Sequence, residues 1–131
     1  MLKDAGEEEK AISAFKRSII EGRGFQPEAY TGLGLLYKER AEGFGGSGDF
    51  EQETANYELS AGYLKTALKQ LSGAPDAAVL YQLLGLVYER QKKYNEAITL
   101  YREFLALFPD SNEAPAVNSF IDQLKKLIAA Q

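Results

Sequence analysis

Three groups of residues in this chain are candidates for chemistry. The first is Gly43-x-Gly45-x-x-Gly48, which matches letter for letter the glycine fingerprint of phosphate-binding loops. That chemistry needs a strand ahead of the loop, so that backbone amides and a helix N-terminus cradle the phosphate. Here the preceding residues carry a helical pattern and no strand pattern occurs, so the glycines are read as a flexible hairpin turn. The second is Glu7-Glu8-Glu9, which could be imagined as a metal site. Consecutive helical residues point in different directions, however, and acidic side chains suit a solvated first helical turn. The third is the set of eight tyrosines and seven phenylalanines. Tyr30, Tyr37, Tyr81, Tyr88 and Tyr101 fall on apolar stripes, where large planar side chains fill gaps between helices, and they are better read as core.

Composition narrows the chemistry further. The chain has no histidine and no cysteine, which removes the usual general base, thiol nucleophile, imidazole ligand and disulfide. No catalytic residue, cofactor or metal ligand is assigned, and a small enzyme relying on carboxylate, serine, lysine or tyrosine stays only as a remote alternative. Fifteen basic and nineteen acidic side chains give a net charge of -4 with no basic stripe for phosphates to follow, so nucleic acid is a poor partner. No apolar run is long enough to span a bilayer, and direct membrane insertion is not expected. The 131 residues, 45% hydrophobic and 26% charged, suit one folded domain.

Helical periodicity positions these residues. Ala11, Ile12, Phe15 and Ile19 share one face and predict a helix over about 7–21, with Gly22 and Gly24 placed for a left-handed cap. Pro27 suits the first turn of the next helix, along which Tyr30, Leu33, Gly34, Tyr37, Ala41 and Phe44 lie on one side. Gly34 inside a helix calls for a packing reason, and close approach of a partner helix is expected. A second stripe of Phe50, Thr54, Tyr57, Ala61, Leu64, Leu68 and Leu71 follows, with Asp49 available as N-cap. Helices over about 77–91 and 94–108 come next. Pro109-Asp110-Ser111-Asn112 then breaks the chain before a last helix whose apolar face holds Val117, Phe120, Ile121, Leu124, Leu127 and Ile128.

Tyr81-x-x-Leu84-Gly85-x-x-Tyr88, Ala97-x-x-x-Tyr101 and Pro109, echoed by Tyr30-x-x-Leu33-Gly34-x-x-Tyr37, resemble the tetratricopeptide repeat, a pair of antiparallel helices in about 34 residues. The resemblance implies an all-α fold, a right-handed superhelix of helical hairpins in a single domain over 1–131. It would comprise the second helix of a partial repeat at 7–21, a repeat with lengthened arms at 27–71 around a Gly-rich turn at 43–48, a regular repeat at 77–108 and a capping helix at 112–129. Tyr30 and Tyr81 are 51 positions apart, about 17 more than one period. Roughly seven extra residues in each arm would lengthen the hairpin by about 10 Å and make it project. Phe104 departs from the pattern, which usually has alanine there. Ala11-x-x-x-Phe15, with Asp4-Ala5-Gly6 as a turn, suggests an excised domain whose preceding helix is missing.

By the same resemblance, the first helix of each pair lines a concave face. Its residues here are Thr31, Leu35 and Lys38, then Gln82, Leu86, Glu89 and Arg90, with Phe120 and Gln123 on the cap. Members that grip a C-terminal carboxylate use Lys, Asn and Arg on this face. The matching places hold Thr31, Leu35, Val79 and Leu83, so that clamp is absent. Leu35, Leu86 and Phe120 suggest an apolar strip able to accept a helical or extended segment of a protein partner. The alternatives are that Leu35 and Leu86 only support neighbouring helices and the groove is unused, or that the partial repeat and long hairpin mediate self-association. The Pro-Asp-Ser-capped C-terminal stretch resembles helical-repeat proteins of bacterial envelopes, which leaves location open between cytoplasm and bacterial periplasm.

Overall fold

The computed structural model describes residues 5–131. Among these there are six α-helices and no strand. The chain divides into two compact units, Met1–Ser72 and Gly73–Gln131.

In the first unit, α1 (Ala5–Glu21) packs on α2 (Pro27–Ser47), which pairs along its length with α3 (Phe50–Leu71). Ile12 is buried on Leu33, Leu36 and Tyr37, with Ala11, Phe15, Ile19 and Tyr63 around them. Ala5 and Gly6, expected in a turn, belong to α1, while Asp4 lies outside the described residues. Of the two glycines placed for a left-handed cap, Gly24 forms it, while Arg23 rather than Gly22 shares the conformation. Arg23 and Gly24 take φ of 54° and 87°, and the Gly24 amide donates to Ile19 O at 2.8 Å. The side chain of Gln70 on α3 fastens this turn. Its amide donates to Gly24 O at 2.6 Å and accepts from the Gln26 N–H at 3.0 Å, supplying two backbone groups with partners they would otherwise lack.

The Gly-rich turn expected at 43–48 is mostly helix. α2 continues through Ser47, and only Gly48, at φ 83°, leaves it. The Gly48 amide donates to Gly45 O at 3.2 Å and the Asp49 amide to Phe44 O at 2.9 Å, the paired bonds of a left-handed C-cap. The Asp49 carboxylate then accepts from the Gln52 amide at 3.2 Å and starts α3. Pairing with α3 overrides the weak helix propensity of Gly45 and Gly46. The Glu53 side chain lies where a Cβ of Gly45 would be. This tight connection also corrects the stripe. Phe50 is 68% exposed and Thr54 is exposed, so the packed stripe of α3 begins only at Asn56 and Tyr57.

In the second unit, a 3-10 turn at Pro75–Ala77 leads into α4 (Ala78–Arg90), followed by α5 (Tyr94–Leu107) and α6 (Ala114–Ala129). α5 packs against both α4 and α6. Phe104 is fully buried and meets Tyr81 edge-on at 6.3 Å between ring centroids, and Phe108 packs on both rings. Burial of these rings and of Leu84, Val87, Val117 and Leu124 supplies the main driving force for this unit. α6 begins at Ala114, two residues later than expected, and Phe120 and Leu127 on its expected apolar face are exposed. Ala114, Val117, Ile121 and Leu124 carry its buried stripe.

Candidate functional site

The spacing of Thr31, Leu35 and Lys38 puts all three on one side of α2. α2 is held by its other side. A Cβ on Gly34 would stand 2.6 Å from Leu64 Cγ and Cδ2, so the two helices approach more closely than any larger residue permits. The buried Ser60 hydroxyl on α3 donates to Gly34 O at 2.6 Å and fixes the register. With the backbone so placed, Leu35 is left 38% exposed. The flanking polar groups have local partners: Thr31 Oγ1 donates to Pro27 O at 2.8 Å, and Lys38 Nζ meets the Glu42 carboxylate at 3.2 Å.

α1 is tied to the same helix by charge. Arg40 Nε donates to Glu8 at 2.8 Å and Nη2 to Glu9 at 2.9 Å, with the guanidinium 5.6 Å from the centroid of Tyr37. Two members of the acidic run are therefore a clasp between helices and not merely a solvated first turn. Partial burial works against the Arg40 charge, but the hydrogen bonds it donates to Glu9 and Glu8, with the attraction of their charges, outweigh it and raise its pKa. No group of three or more potential metal ligands occurs among the described residues.

In the second unit Gln82, Leu86, Glu89 and Arg90 share one side of α4. Gly85 plays the part of Gly34: the ring of Tyr101 on α5 occupies the place of its missing side chain. The Tyr101 hydroxyl donates to Glu89 Oε2 at 2.6 Å, and Phe120 of α6 rests on the Tyr101 ring at 5.8 Å. Three residues on three helices, Glu89, Tyr101 and Phe120, are thus linked by contact through the buried Tyr101. Burial first, then the Glu89 carboxylate, push the Tyr101 pKa strongly upward, so the phenol is a fixed donor and no candidate base. Burial also raises Tyr81 and Tyr88, and all three act as packing groups.

The remaining expected residues are more scattered. Gln82 donates to the Glu113 carboxylate and bridges α4 to the loop before α6. Leu86 is half-buried, whereas Arg90 and Gln123 are exposed. Val79, given no binding role by the sequence reading, is 57% exposed and lines an open recess of about 370 Å³ with Asp76, Gln82, Ser111 and Glu113. Its position one turn before Gln82 on the same helix was the available signal.

A family model described as tetratricopeptide repeat matches residues 39–110, from the middle of α2 to the end of the α5 connection. The chain belongs to the tetratricopeptide repeat family. No curated protein matches it. Tetratricopeptide repeats generally mediate protein–protein interaction and are typically non-catalytic scaffolds. Gly85 lies inside the matched residues and Gly34 before them, and each stands where its helix comes close to its partner. No helix is long and apolar enough to cross a membrane among the described residues.

Proposed function

We propose that this chain is a non-catalytic scaffold that holds a peptide or helical segment of a protein partner along its first-helix faces, as one part of a larger assembly. In this reading α1 is the second helix of a partial repeat, α2–α3 a repeat with lengthened arms, α4–α5 a regular repeat and α6 a cap. The partner's apolar side chains rest on Leu35, Leu86 and Phe120. Thr31, Lys38, Gln82, Glu89, Arg90 and Gln123 form the polar edge that sets orientation.

The observation that carries the reading is the outward exposure of Leu35, 38%, on a helix whose inward contacts are already complete through Gly34 and Leu64. An apolar residue held rigidly at that spacing offers contact area at little ordering cost. The test introduces a photo-reactive side chain at Leu35 and, separately, at Leu86, and compares capture by the unaltered chain with a Leu35→Glu, Leu86→Glu variant of unchanged helicity. A partner cross-linked at both positions and lost from the variant is expected. Equal retention by the variant would overturn the assignment of the face.

A further inference from the structure

The open recess of about 370 Å³ at the start of α4 has lining of two kinds. Part is apolar: Val79 is more than half exposed, with Ala78 and Pro75 beside it. Part is acidic: Asp76 comes from the turn before α4 and Glu113 from the loop before α6. None of the described lining residues is basic. Both carboxylates are exposed, and neither belongs to an ion pair among the described residues.

Acidic residues ahead of helices have a simpler account, in which each caps the helix it precedes. The hydrogen bonds go elsewhere. No side chain caps α4 or α6. Glu113 occupies the N-cap position of α6, yet its carboxylate accepts from the Gln82 side chain on α4, which holds it at the recess. A metal ion fits poorly, because among the described residues no third acidic ligand completes a group with these two. A long cationic side chain fits both kinds of lining, since its methylene stem favours apolar surface and its charged head favours carboxylates. Val79 and Leu86 are seven residues apart on one side of α4, a separation of about 10 Å. That is roughly three residues of an extended segment or two turns of a helix.

We propose that this recess receives a lysine or arginine side chain of the partner segment, its stem against Val79 and its charged head at the Asp76 and Glu113 carboxylates. The assignment rests on the reading of the chain as a holder of protein segments and adds that the segment is basic. The probe is a random dodecapeptide library displayed on phage and selected against the full chain. Selected peptides are expected to share a lysine or arginine at a fixed spacing from an apolar residue. A synthetic peptide of that sequence, N-acetylated to remove its terminal charge, should bind about tenfold more weakly to Asp76→Asn and to Glu113→Gln. Both variants should keep the helicity of the unaltered chain, because neither carboxylate caps a helix. Norleucine in place of the basic residue should cost at least as much in the unaltered chain and nothing in the Asp76→Asn, Glu113→Gln double variant. Peptides without a shared basic residue that are lost from Leu86→Glu would overturn the recess and leave the first-helix face standing. Basic peptides lost from the recess variants but held equally by Leu86→Glu would uphold the recess and overturn the assignment of Leu86. A selection without binders, or binders indifferent to all these substitutions, would overturn both.

Discussion

In the α4–α5 hairpin the ring of Tyr101 fills the hollow at Gly85, whereas in the α2–α3 hairpin Leu64 fills the hollow at Gly34 and Ser60 adds a buried hydrogen bond. These contacts make Leu64 the counterpart of Tyr101 and Ser60 the counterpart of Ala97. Gly34 lies 26 residues before Ser60, while Gly85 lies 12 before Ala97, an excess of 14. Shared between two arms, that is seven residues each, within about 20° of two full helical turns. An insertion of nearly whole turns lengthens a hairpin without rotating its packing stripe away from the partner helix. The long hairpin is therefore the short one with its packed base retained and a thinner distal half added, which is where Phe50 loses cover.

The most severe test of that equivalence is to shorten the arms. Removing residues 41–47 and 50–56 takes seven from each and leaves Gly48-Asp49 to close the hairpin in nearly the same phase. A cooperative urea transition and the helicity expected for the shorter chain should survive. Removing five from each arm, 43–47 and 50–54, leaves the end of α2 rotated by about 140°, so that its cap points away from α3. That variant should lose the folded first unit. Similar transitions for both deletions would mean that phase is not what the insertion conserves.

A gentler comparison places a methyl group in each hollow. Gly85→Ala drives a Cβ into a ring that is held by Glu89 and Phe120 and cannot easily move. A loss of about 2 kcal/mol is expected from overpacking. At Gly34 the obstructing atoms are Cγ and Cδ2 of the buried Leu64, an aliphatic side chain with no hydrogen bond or stacked ring to hold it, and alanine recovers helix propensity, so a loss of about 1 kcal/mol is expected. Urea midpoints at constant slope give both values. A larger loss at Gly34 would reverse the ranking of the two hairpins.

The same contrast explains what was legible in the sequence. The second hairpin announces itself because Gly85, Ala97 and Tyr101 keep the residue types that its packing needs. In the first, Ser60 and Leu64 do the same mechanical work with different residues, so only the Tyr30 to Tyr37 half could be read. The Gly45-Gly46 segment misled for a related reason: propensity argues for a turn, but pairing with α3 holds it helical until Gly48. The Gln70 fastening and the Arg40 clasp join residues more than 30 positions apart, which periodicity cannot detect. Among the site residues, Leu35 was singled out by the register of the family resemblance, and it lies exposed on α2. The engagement of Glu89 by Tyr101 needed the actual approach of α5.

Alkaline pH should weaken the second unit through its buried phenols. Tyr81, Tyr88 and Tyr101, all in the second unit, have pKa values raised mainly by burial. In the unfolded chain a tyrosine loses its proton near pH 10, while the folded phenol keeps it. Above that pH the unfolded state binds fewer protons, so the stabilisation, complete below pH 10, falls as pH rises. The slope is about 1.4 kcal/mol per pH unit for each tyrosine concerned. Denaturation at pH 9 and 11 should show this decline, and Tyr101→Phe should make it shallower. An equal slope in that variant would show that Tyr101 ionises as readily folded as unfolded.

The smallest expected effect concerns α1, which meets α2 through a short apolar face and the Arg40 clasp. Both ion pairs are partly solvated, with 21% of the Glu8 and 68% of the Glu9 side-chain surface exposed. Arg40→Ala should therefore cost only about 0.5–1 kcal/mol at low salt, part of it from lost packing on Tyr37. The loss should shrink as salt screens the pairs. It should also be local: amide exchange should quicken along α1 and stay unchanged in α4 and α5, because no residue of the clasp belongs to the second unit. Uniform acceleration across both hairpins would instead mean that α1, despite its short contact, opens only when the whole chain does.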